Sequence, residues 1–323
     1  MKVLVTGAGA LLGQGIIRTL RASTLDSFIV GADPSPLAAG LYWADQAYLL
    51  PFANDAAYID SITAILEKEH PDALLVGTDV ELNVLATHRG AIERTFGTHV
   101  LVSDRRVVEI ADDKWLTFEW LQTQGFPVPR SCLRGAELEL IDEVGFPLIV
   151  KPRIGARSVG VSMARNQEEL RQALDLNEEV IIQELVGRDD TEFTAGALVF
   201  DGECKASIVM RRELRDGNTY RAFTGPYPEF NDVVQRICVQ LGPYGPVNLQ
   251  FRLHNDALTV FEINARFSGT TPFRRYAGFN EVEMALRHLV FGAPIAQPKV
   301  DSLVVLRYWD EIVLQPRQLM AEL

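Results

Sequence analysis

Three polar side chains at two-residue spacing, Glu262, Asn264 and Arg266, lie in a strand-like segment of the second half of the sequence. Residues two apart in a strand share a face, so these side chains are expected to point the same way. The alternate residues are expected to point into the core: Phe261 and Ile263. Gln250 belongs to a similar segment, and a turn at 254–256 joins the two. One acid and two amides supply the hard oxygen ligands that Mg²⁺ prefers, and Mn²⁺ also accepts, so Gln250, Glu262 and Asn264 are predicted metal ligands. The alternative is a polar sheet face exposed to water.

Lysine is scarce in this chain, and two of the lysines occupy informative positions. The sequence has 31 basic residues, but lysine accounts for only six of them; Lys114 begins a helix after two aspartates and Lys151 ends a strand. A glycine-containing loop at 154–161 follows Lys151 directly and includes Arg157 and Ser158. Lysine ammonium groups and the backbone N–H groups of such loops bind phosphates. For either lysine alone, a surface position is the competing interpretation.

The surrounding pattern predicts the elements that must position these side chains. Short apolar strands alternate with helices in the first lobe, which indicates a parallel, doubly wound α/β sheet that ends near residue 110. From Phe146 onward, strand-like runs are joined by short turns, which is typical of an antiparallel α+β region. We therefore expect a Rossmann-like lobe followed by antiparallel sheets.

The first strand leads into a glycine-rich turn that contains Gly7, Gly9 and Gly13, and Asp33 closes the second strand. This arrangement is similar to a dinucleotide-binding fingerprint, in which glycines let phosphate approach a helix N-terminus and the acid holds a ribose. The spacing is looser than that fingerprint, and none of the eight tyrosines is followed four residues later by lysine, as a short-chain dehydrogenase would require. A tight turn without a nucleotide is the favoured alternative.

The order of motifs in the second half resembles the ATP-grasp superfamily. Lys114 comes first, then Lys151 with its loop, the strand and turn at 181–187, Glu192, and the paired segments at 248–250 and 261–266. Within the superfamily the chain looks like carbamoyl phosphate synthetase large subunits and carboxylate–amine ligases, which also have a Rossmann-like lobe ahead of the grasp. The resemblance implies four regions: a pre-ATP-grasp domain at 1–110, grasp lobes at 111–185 and 186–300 with the metal site in the second, and a C-terminal strand or tail at 301–323.

The resemblance also assigns roles to residues. The implied ATP-binding residues are Lys114, Lys151, Arg157, Ser158, Glu184, Leu185, Val186 and Glu192. The lysines would hold phosphates, residues 184–186 would form a hinge that reads adenine, and Glu192 would bind the ribose. Asp189 and Asp190 are alternatives for the ribose, because the family usually places this acid closer to the hinge glycine. Arg266 and Lys151 are the implied catalytic residues, with Arg266 on a developing acyl phosphate.

The activity implied by the resemblance is ADP-forming ligation of a carboxylate to an amine with ATP and Mg²⁺. One alternative is phosphorylation of bicarbonate or carbamate together with a partner chain. A second is a nucleotide-binding regulatory protein without turnover, which has less need of both lysines and a full metal-ligand set. An NAD-dependent reductase is the most distant possibility.

The composition argues against some classes of binding partner. The net charge of −12 repels nucleic acid, and no run of about 18 apolar residues could cross a membrane. The three cysteines lack metal-ligand spacing, which favours a reduced, cytoplasmic setting. The partners are expected to be small molecules, and a homodimer is compatible with the sequence.

Arginines cluster at Arg211, Arg212, Arg215 and Arg221, and again at Arg274 and Arg275. Two interpretations are open: an anionic substrate, or ion pairs with nearby acids such as Glu213 and Glu281. Asp79 follows a strand of the first lobe, where it could cap a helix or contact the acceptor amine.

Overall fold

The residues up to 101 form a five-stranded parallel sheet in the computed structural model of the protein, which describes residues 1–155, 158–225, 227–315 and 319. The strands are β1 (Lys2–Val5), β2 (Phe28–Asp33), β3 (Gln46–Leu49), β4 (Ala73–Leu75) and β5 (His99–Leu101), in the order β3-β2-β1-β4-β5. The helices of this lobe are α1 (Leu11–Arg21), α2 (Tyr58–Glu69) and α3 (Leu82–Phe96). The predicted parallel sheet is confirmed.

Successive residues of β1 explain why helices cover both faces of this sheet. Val3 and Val5 belong to an apolar cluster with Ile16 of α1. Leu4, which lies between them, belongs to a different cluster with Ile62 of α2. Because strand side chains alternate in direction, a continuous apolar run buries both faces and needs helices on each.

A second, four-stranded antiparallel sheet follows two helices, α4 (Arg105–Asp112) and α5 (Lys114–Thr123). Its strands are β6 (Ser131–Leu133), β7 (Leu148–Pro152), β8 (Ser162–Ala164) and β9 (Val180–Glu184), in the order β6-β9-β7-β8. The helices that cover it are α6 (Glu137–Val144) and α7 (Gln167–Asp175).

The third sheet has six antiparallel strands in the order β14-β13-β10-β11-β12-β15. They are β10 (Glu192–Phe200), β11 (Glu203–Arg215), β12 (Asn218–Thr224), β13 (Gly245–His254), β14 (Ala257–Asn264) and β15 (Val304–Leu306). The remaining α-helices of the described residues are α8 (Pro228–Leu241), α9 (Thr271–Tyr276) and α10 (Glu281–Phe291). The predicted turn between β13 and β14 is confirmed, and Asn255 and Asp256 both have positive φ, as a type I′ turn requires.

Helix α4 joins the first lobe to the six-stranded sheet. Val107 belongs to the same apolar cluster as Phe251 and Ile263 of the large sheet, whereas the adjacent Val108 packs into the core of the first lobe. The predicted lobe boundary near residue 110 therefore falls inside a helix that both lobes share. Within the described ranges, none of the helices is long and apolar enough to cross a membrane.

Candidate functional site

A β-bulge sets the direction of the polar side chains on the β13–β14 hairpin. Gln250 pairs with Glu262, and the register shifts immediately after Gln250. Phe261 is the extra residue of the bulge, and it is half buried instead of lying in the core. The prediction that Phe261 points into the core is therefore wrong, although Ile263 is fully buried as expected. The ring of Phe261 instead faces Lys151, whose Nζ lies 5.7 Å from the ring centroid.

Among the three predicted metal ligands, Glu262 lies within hydrogen-bonding distance of both Gln250 and Asn264. Oε1 of Glu262 accepts from Gln250 Nε2 at 3.0 Å and from Asn264 Nδ2 at 2.9 Å. The amide oxygens in turn accept from arginines: Gln250 Oε1 from Arg212 at 2.6 Å, and Asn264 Oδ1 from Arg266 at 2.8 Å. Each of the two amide oxygens has a second lone pair, and Glu262 has a second carboxylate oxygen, so the set can still ligate a cation.

This oxygen set fits a Mg²⁺ ion that binds together with phosphate. Glu262 supplies one negative charge and the amides of Gln250 and Asn264 supply none. Across the described parts of the chain, no three or more His, Cys, Asp or Glu side chains form a group that could hold a metal. Since Mg²⁺ is commonly held by one or two carboxylates plus substrate phosphates, these residues would hold it with phosphate oxygens completing the coordination.

Lys114 and Lys151 are buried ammonium groups that form no ion pair with a carboxylate of the described residues. Their exposed fractions are 9% and 6%. Lys114 Nζ donates to the carbonyl oxygen of Gly155 at 2.8 Å, and Lys151 Nζ donates to that of Phe261 at 3.4 Å. Burial lowers the pKa of Lys151 to about 8, with Glu262 acting in the opposite direction and Lys114 reinforcing the shift. Two buried cations that no described carboxylate contacts directly are suited to binding an anion such as phosphate.

The loop after Lys151 is open to solvent where it is described. Ile154 and Val159 are 60% and 73% exposed, and Ser158 is exposed with a φ of 55°. Arg157, a predicted phosphate ligand, lies outside the described residues. Apolar side chains without packing partners are typical of a segment that can close over a ligand.

Arg266 connects the face of the metal ligands to the first lobe. Its Nε donates to Asp79 Oδ1 at 2.6 Å, and its Nη2 donates to Asn264 Oδ1 at 2.8 Å. The Arg266 side chain is 9% exposed, and Asp79 is 31% exposed. No helix-capping hydrogen bond from Asp79 is found among the described contacts, so the expectation that this acid caps a helix is wrong. Its contact with an acceptor amine stays a prediction.

Comparisons with known proteins agree with this arrangement. Residues 111–270 match the family model of the ATP-grasp domain, and residues 3–101 match that of the PylC-like N-terminal domain. Residues 111–270 therefore belong to the ATP-grasp domain family.

Among its relatives, the carbamoyl phosphate synthase large chain of Gemmatimonas aurantiaca is 26% identical over 307 aligned positions, which cover 83% of this chain and 27% of that protein. The chain thus spans about a quarter of the length of this curated relative. The N5-carboxyaminoimidazole synthetase of Staphylococcus aureus, solved with ADP, superposes with a TM-score of 0.74 at 15% identity and covers 93% of this chain and 79% of its own. The L-amino acid ligase of Bacillus licheniformis has a TM-score of 0.69 at 17% identity, covering 90% and 74% of the two chains. The two solved structures therefore share the fold of this ATP-grasp protein.

In the ATP-grasp domain, Glu184, Leu185 and Val186 connect the four-stranded sheet to the six-stranded sheet. The backbone N–H of Glu184 donates to Arg130 O at 2.9 Å, and its Oε1 accepts from Arg130 N at 2.7 Å. Val186 is buried, and its carbonyl oxygen accepts from Arg252 at 3.5 Å. The location between the two sheets fits a hinge, and the contact with adenine stays a prediction.

Glu192 is buried between two arginines. Its Oε1 accepts from Arg212 Nη2 at 2.7 Å, and its Oε2 accepts from Arg252 Nη2 at 2.7 Å. Both carboxylate oxygens are thus engaged, which differs from the open acid that ribose binding would need. Asp189 is 97% exposed and pairs with Arg252 at 2.9 Å, and Asp190 is also exposed. The ribose ligand stays a prediction, and Asp189 and Asp190 are the more accessible acids.

Several arginines of the predicted clusters are neutralised by acids. Arg211 and Arg221 both pair with Glu213, at 3.3 and 3.1 Å. Arg274 pairs with Glu281 at 2.8 Å, and the two side chains are 1% and 0% exposed. For these residues the structure shows ion pairing, which was one of the two interpretations left open.

In the first lobe, the Asp33 carboxylate accepts a hydrogen bond from the backbone of the glycine-rich turn. Asp33 Oδ2 accepts from Gly9 N at 2.7 Å, and Oδ1 accepts from Ser35 N at 2.9 Å. A Cβ atom at Gly13 would lie 2.1 Å from the carbonyl oxygen of Gly7, so the turn and helix pack with no room for a side chain. This close packing explains the glycine at position 13, and the absence of a nucleotide from this turn stays a prediction.

Asp112 is a candidate functional residue that sequence reasoning missed. It is half buried at the end of α4. Burial raises the pKa of its carboxyl group, and the charge of Asp79 raises this pKa further, while the charges of Lys114 and Arg266 lower it. Its carboxyl group therefore lies near both the phosphate-binding lysine and the arginine of the metal-ligand face. Its position just before the Asp113–Lys114 pair was the signal available in the sequence.

Proposed function

We propose that the protein joins a carboxylate to an amine through an acyl phosphate, with ATP cleaved to ADP and phosphate. The observation that carries this proposal is that two buried lysines, neither in an ion pair with a described carboxylate, lie close to the Glu262 face, which also carries Arg266. This arrangement offers cations for a polyphosphate, oxygen ligands for its metal, and a guanidinium for the group being transferred.

The residues have distinct parts in this reaction. Lys114 and Lys151 would neutralise phosphate oxygens, and Glu262 with its two amide neighbours would hold the ion. Bound Mg²⁺ supplies charge neutralisation on the phosphates. The fork of Arg266 is suited to two oxygens of the acyl phosphate, because a guanidinium binds such groups bidentately. Catalysis of this kind depends mainly on positioning and electrostatic stabilisation.

Two bond changes follow one another. A carboxylate oxygen attacks the γ-phosphorus and the bond to ADP breaks; the amine nitrogen then attacks the acyl carbon and phosphate leaves. The amine must lose a proton in the second step. Asp112 lies near Arg266 and has a raised pKa, which suits a carboxylate that accepts this proton.

A second candidate is phosphorylation of bicarbonate or carbamate. It is supported by the 26% identity to a carbamoyl phosphate synthase large chain, of which this chain spans 27%. That reaction would need a further chain or domain to complete it. A nucleotide-binding protein without turnover is the third.

Coupled ADP release tests these proposals. The full chain is incubated with Mg·ATP and pools of carboxylic acids and amino acids, with bicarbonate in a separate arm. ADP release that requires both a carboxylate and an amine supports ligation, and release with bicarbonate alone supports the second candidate. If Mg·ADP binds but no pool or bicarbonate accelerates ADP release, the protein is a nucleotide binder. A homodimer, a cytoplasmic setting and activity with Mn²⁺ remain further predictions.

A further inference from the structure

The buried arginines named below each pair with an acid, whereas the half-buried Arg307 pairs with none in the described residues. Arg212 pairs with Glu192, Arg266 with Asp79, and Arg274 with Glu281, and the three guanidinium side chains are at most 9% exposed. Among arginines without a carboxylate partner in the described ranges, Arg275 and Arg307 are half buried and the others are exposed.

Arg307 is held by several contacts although no acid of the described residues pairs with it. It follows β15, and its backbone N–H donates to Tyr220 O at 2.9 Å. Its Nη2 donates to the carbonyl oxygen of Gly269, and its guanidinium carbon lies 4.8 Å from the ring centroid of Phe273. Burial lowers the pKa of Arg307 to about 10, and the charge of Arg18 shifts it in the same direction.

Helix α1 brings Arg18 to the same segment. A Cβ atom at Gly269 would lie 3.0 Å from Leu11, and one at Gly15 would lie 3.2 Å from Pro272. Positions 11, 15 and 18 share one face of a helix, so Arg18, whose side chain is exposed, lies on the face of α1 that packs along residues 269–272. The two arginines thus approach one segment from α1 and from the C-terminal strand.

Two guanidinium groups whose charges repel, with no ion pair to a carboxylate in the described parts of the chain, are unfavourable for the free protein. Desolvating a charge is costly unless an opposite charge offsets it, and the mutual repulsion adds to that cost. Phosphate and carboxylate groups match the planar donor fork of arginine.

We propose that Arg18 and Arg307 form an anion-binding site against residues 269–273, which takes a phosphate or carboxylate group. Gly269 follows the metal-ligand strand closely in sequence, since Asn264 ends β14. The group could belong to a remote part of the substrate or to a separate effector, and only the first source rests on the proposed function. In either case the anion would link α1, the segment after β14 and the C-terminal strand.

Thermal unfolding with inorganic anions tests the site without any knowledge of the substrate. Phosphate, pyrophosphate and succinate are titrated at constant ionic strength in the presence of saturating Mg·ADP, so that Lys114 and Lys151 are already occupied. The variants are Arg307→Met and Arg18→Met. The matched control is Arg236→Met, an exposed arginine of α8 without a carboxylate partner.

We expect at least one anion to raise the wild-type Tm by about 2 °C for each tenfold excess over its Kd. Both site variants should lose this response, and the control should keep it. Without anion, Arg307→Met should match or exceed the wild-type Tm, because it removes an uncompensated charge. A lower Tm for Arg307→Met would assign this arginine a structural role through Gly269, and would overturn the proposal, as would the absence of any anion response in the wild type.

If Arg307→Met does not fold, the anion response of Arg18→Met tests the site by itself, because this variant replaces an exposed side chain and is expected to fold. Loss of the anion response in that variant supports the site, and an unchanged response overturns it. Failure of the proposed function is seen separately, as the absence of stabilisation by Mg·ADP or of any ADP release.

Once a substrate is known, the source of the anion can be identified. If the anionic group belongs to the substrate, Arg307→Met should raise the substrate KM at least tenfold and leave the KM for Mg·ATP unchanged. If the group belongs to an effector, phosphate should change wild-type turnover without competing with the substrate.

Discussion

Replacing Glu262 with Gln removes one negative charge and leaves the shape of the side chain almost unchanged. In the structure, Oε1 of Glu262 accepts from the amide groups of Gln250 and Asn264 at 3.0 and 2.9 Å. The carbonyl oxygen of a glutamine at 262 can accept the same two hydrogen bonds. We therefore expect the free energy of unfolding to change by less than about 1 kcal/mol.

Turnover should respond very differently. Glu262 provides the only charge in the predicted ligand set, and its charge also raises the pKa of Lys151 against the effect of burial. The substitution would weaken the site for Mg²⁺ and leave Lys151 less protonated. A pre-organised electrostatic contact with the transition state is worth about 3–4 kcal/mol, which corresponds to a loss of about 10²–10³-fold in kcat.

The assay compares ADP release by Glu262→Gln and the wild type at saturating Mg·ATP, with the carboxylate and amine found in the pool screen. The matched control is Glu67→Gln, an exposed acid within α2 of the first lobe. Calorimetry of Mg·ADP binding gives a second measurement that needs no substrate. If the rates of Glu262→Gln and the wild type agree within about twofold, or roughly 0.4 kcal/mol, Glu262 is not a metal ligand and the proposed site is wrong.

Further predictions concern the other parts of the site. The pKa of Lys151 is about 8 in the free protein, so its charge is lost as pH rises through that value. The affinity for Mg·ADP should therefore fall between about pH 7 and 9, and binding near pH 8 should take up protons. Calorimetry of Lys151→Met should show neither effect. Hydrogen exchange at residues 158–161 should slow when Mg·ADP binds, whereas equal protection would argue against a covering loop. Asp79→Asn should reduce kcat about tenfold and leave Mg·ADP affinity unchanged, because Asp79 orients Arg266; an unchanged kcat would contradict that role. If Glu192 only neutralises its arginines, Glu192→Gln should lower the free energy of unfolding by about 3–5 kcal/mol in denaturant titrations. If Glu192 binds the ribose, the variant should instead lose affinity for ATP but not for its 2′,3′-dideoxy analogue.

The first lobe could be predicted from local sequence because its signals are local. Apolar strands such as 2–5 and 28–33 alternate with helices, and only a parallel sheet covered on both faces buries such runs. The direction of Glu262 and Asn264 also follows from the two-residue strand period, which holds beyond the bulge. Because lysine is rare in this chain, the positions of Lys114 and Lys151 were informative, and both side chains are buried at the candidate site.

The bulge at Phe261 could not be predicted from the period. An extra residue in one strand depends on the register with its partner, and the alternating pattern looks the same with or without it. The same limit applies to Glu192. Its type and position match a ribose-binding acid, but its partners Arg212 and Arg252 lie 20 and 60 residues away.

The order of the motifs, the fold class and the residue types of the candidate site could all be predicted from local sequence patterns. These properties rest on spacing within single strands, turns and helices, where neighbours in sequence are neighbours in space. Which charges meet depends on the tertiary structure: Arg266 pairs with Asp79, 187 residues away in sequence, whereas Arg307 donates to Gly269, feels the charge of Arg18 and pairs with no acid of the described residues. Pairing of charges depends on chain topology and burial, so the same arginine in the sequence can be neutralised in the core or left to bind an anion.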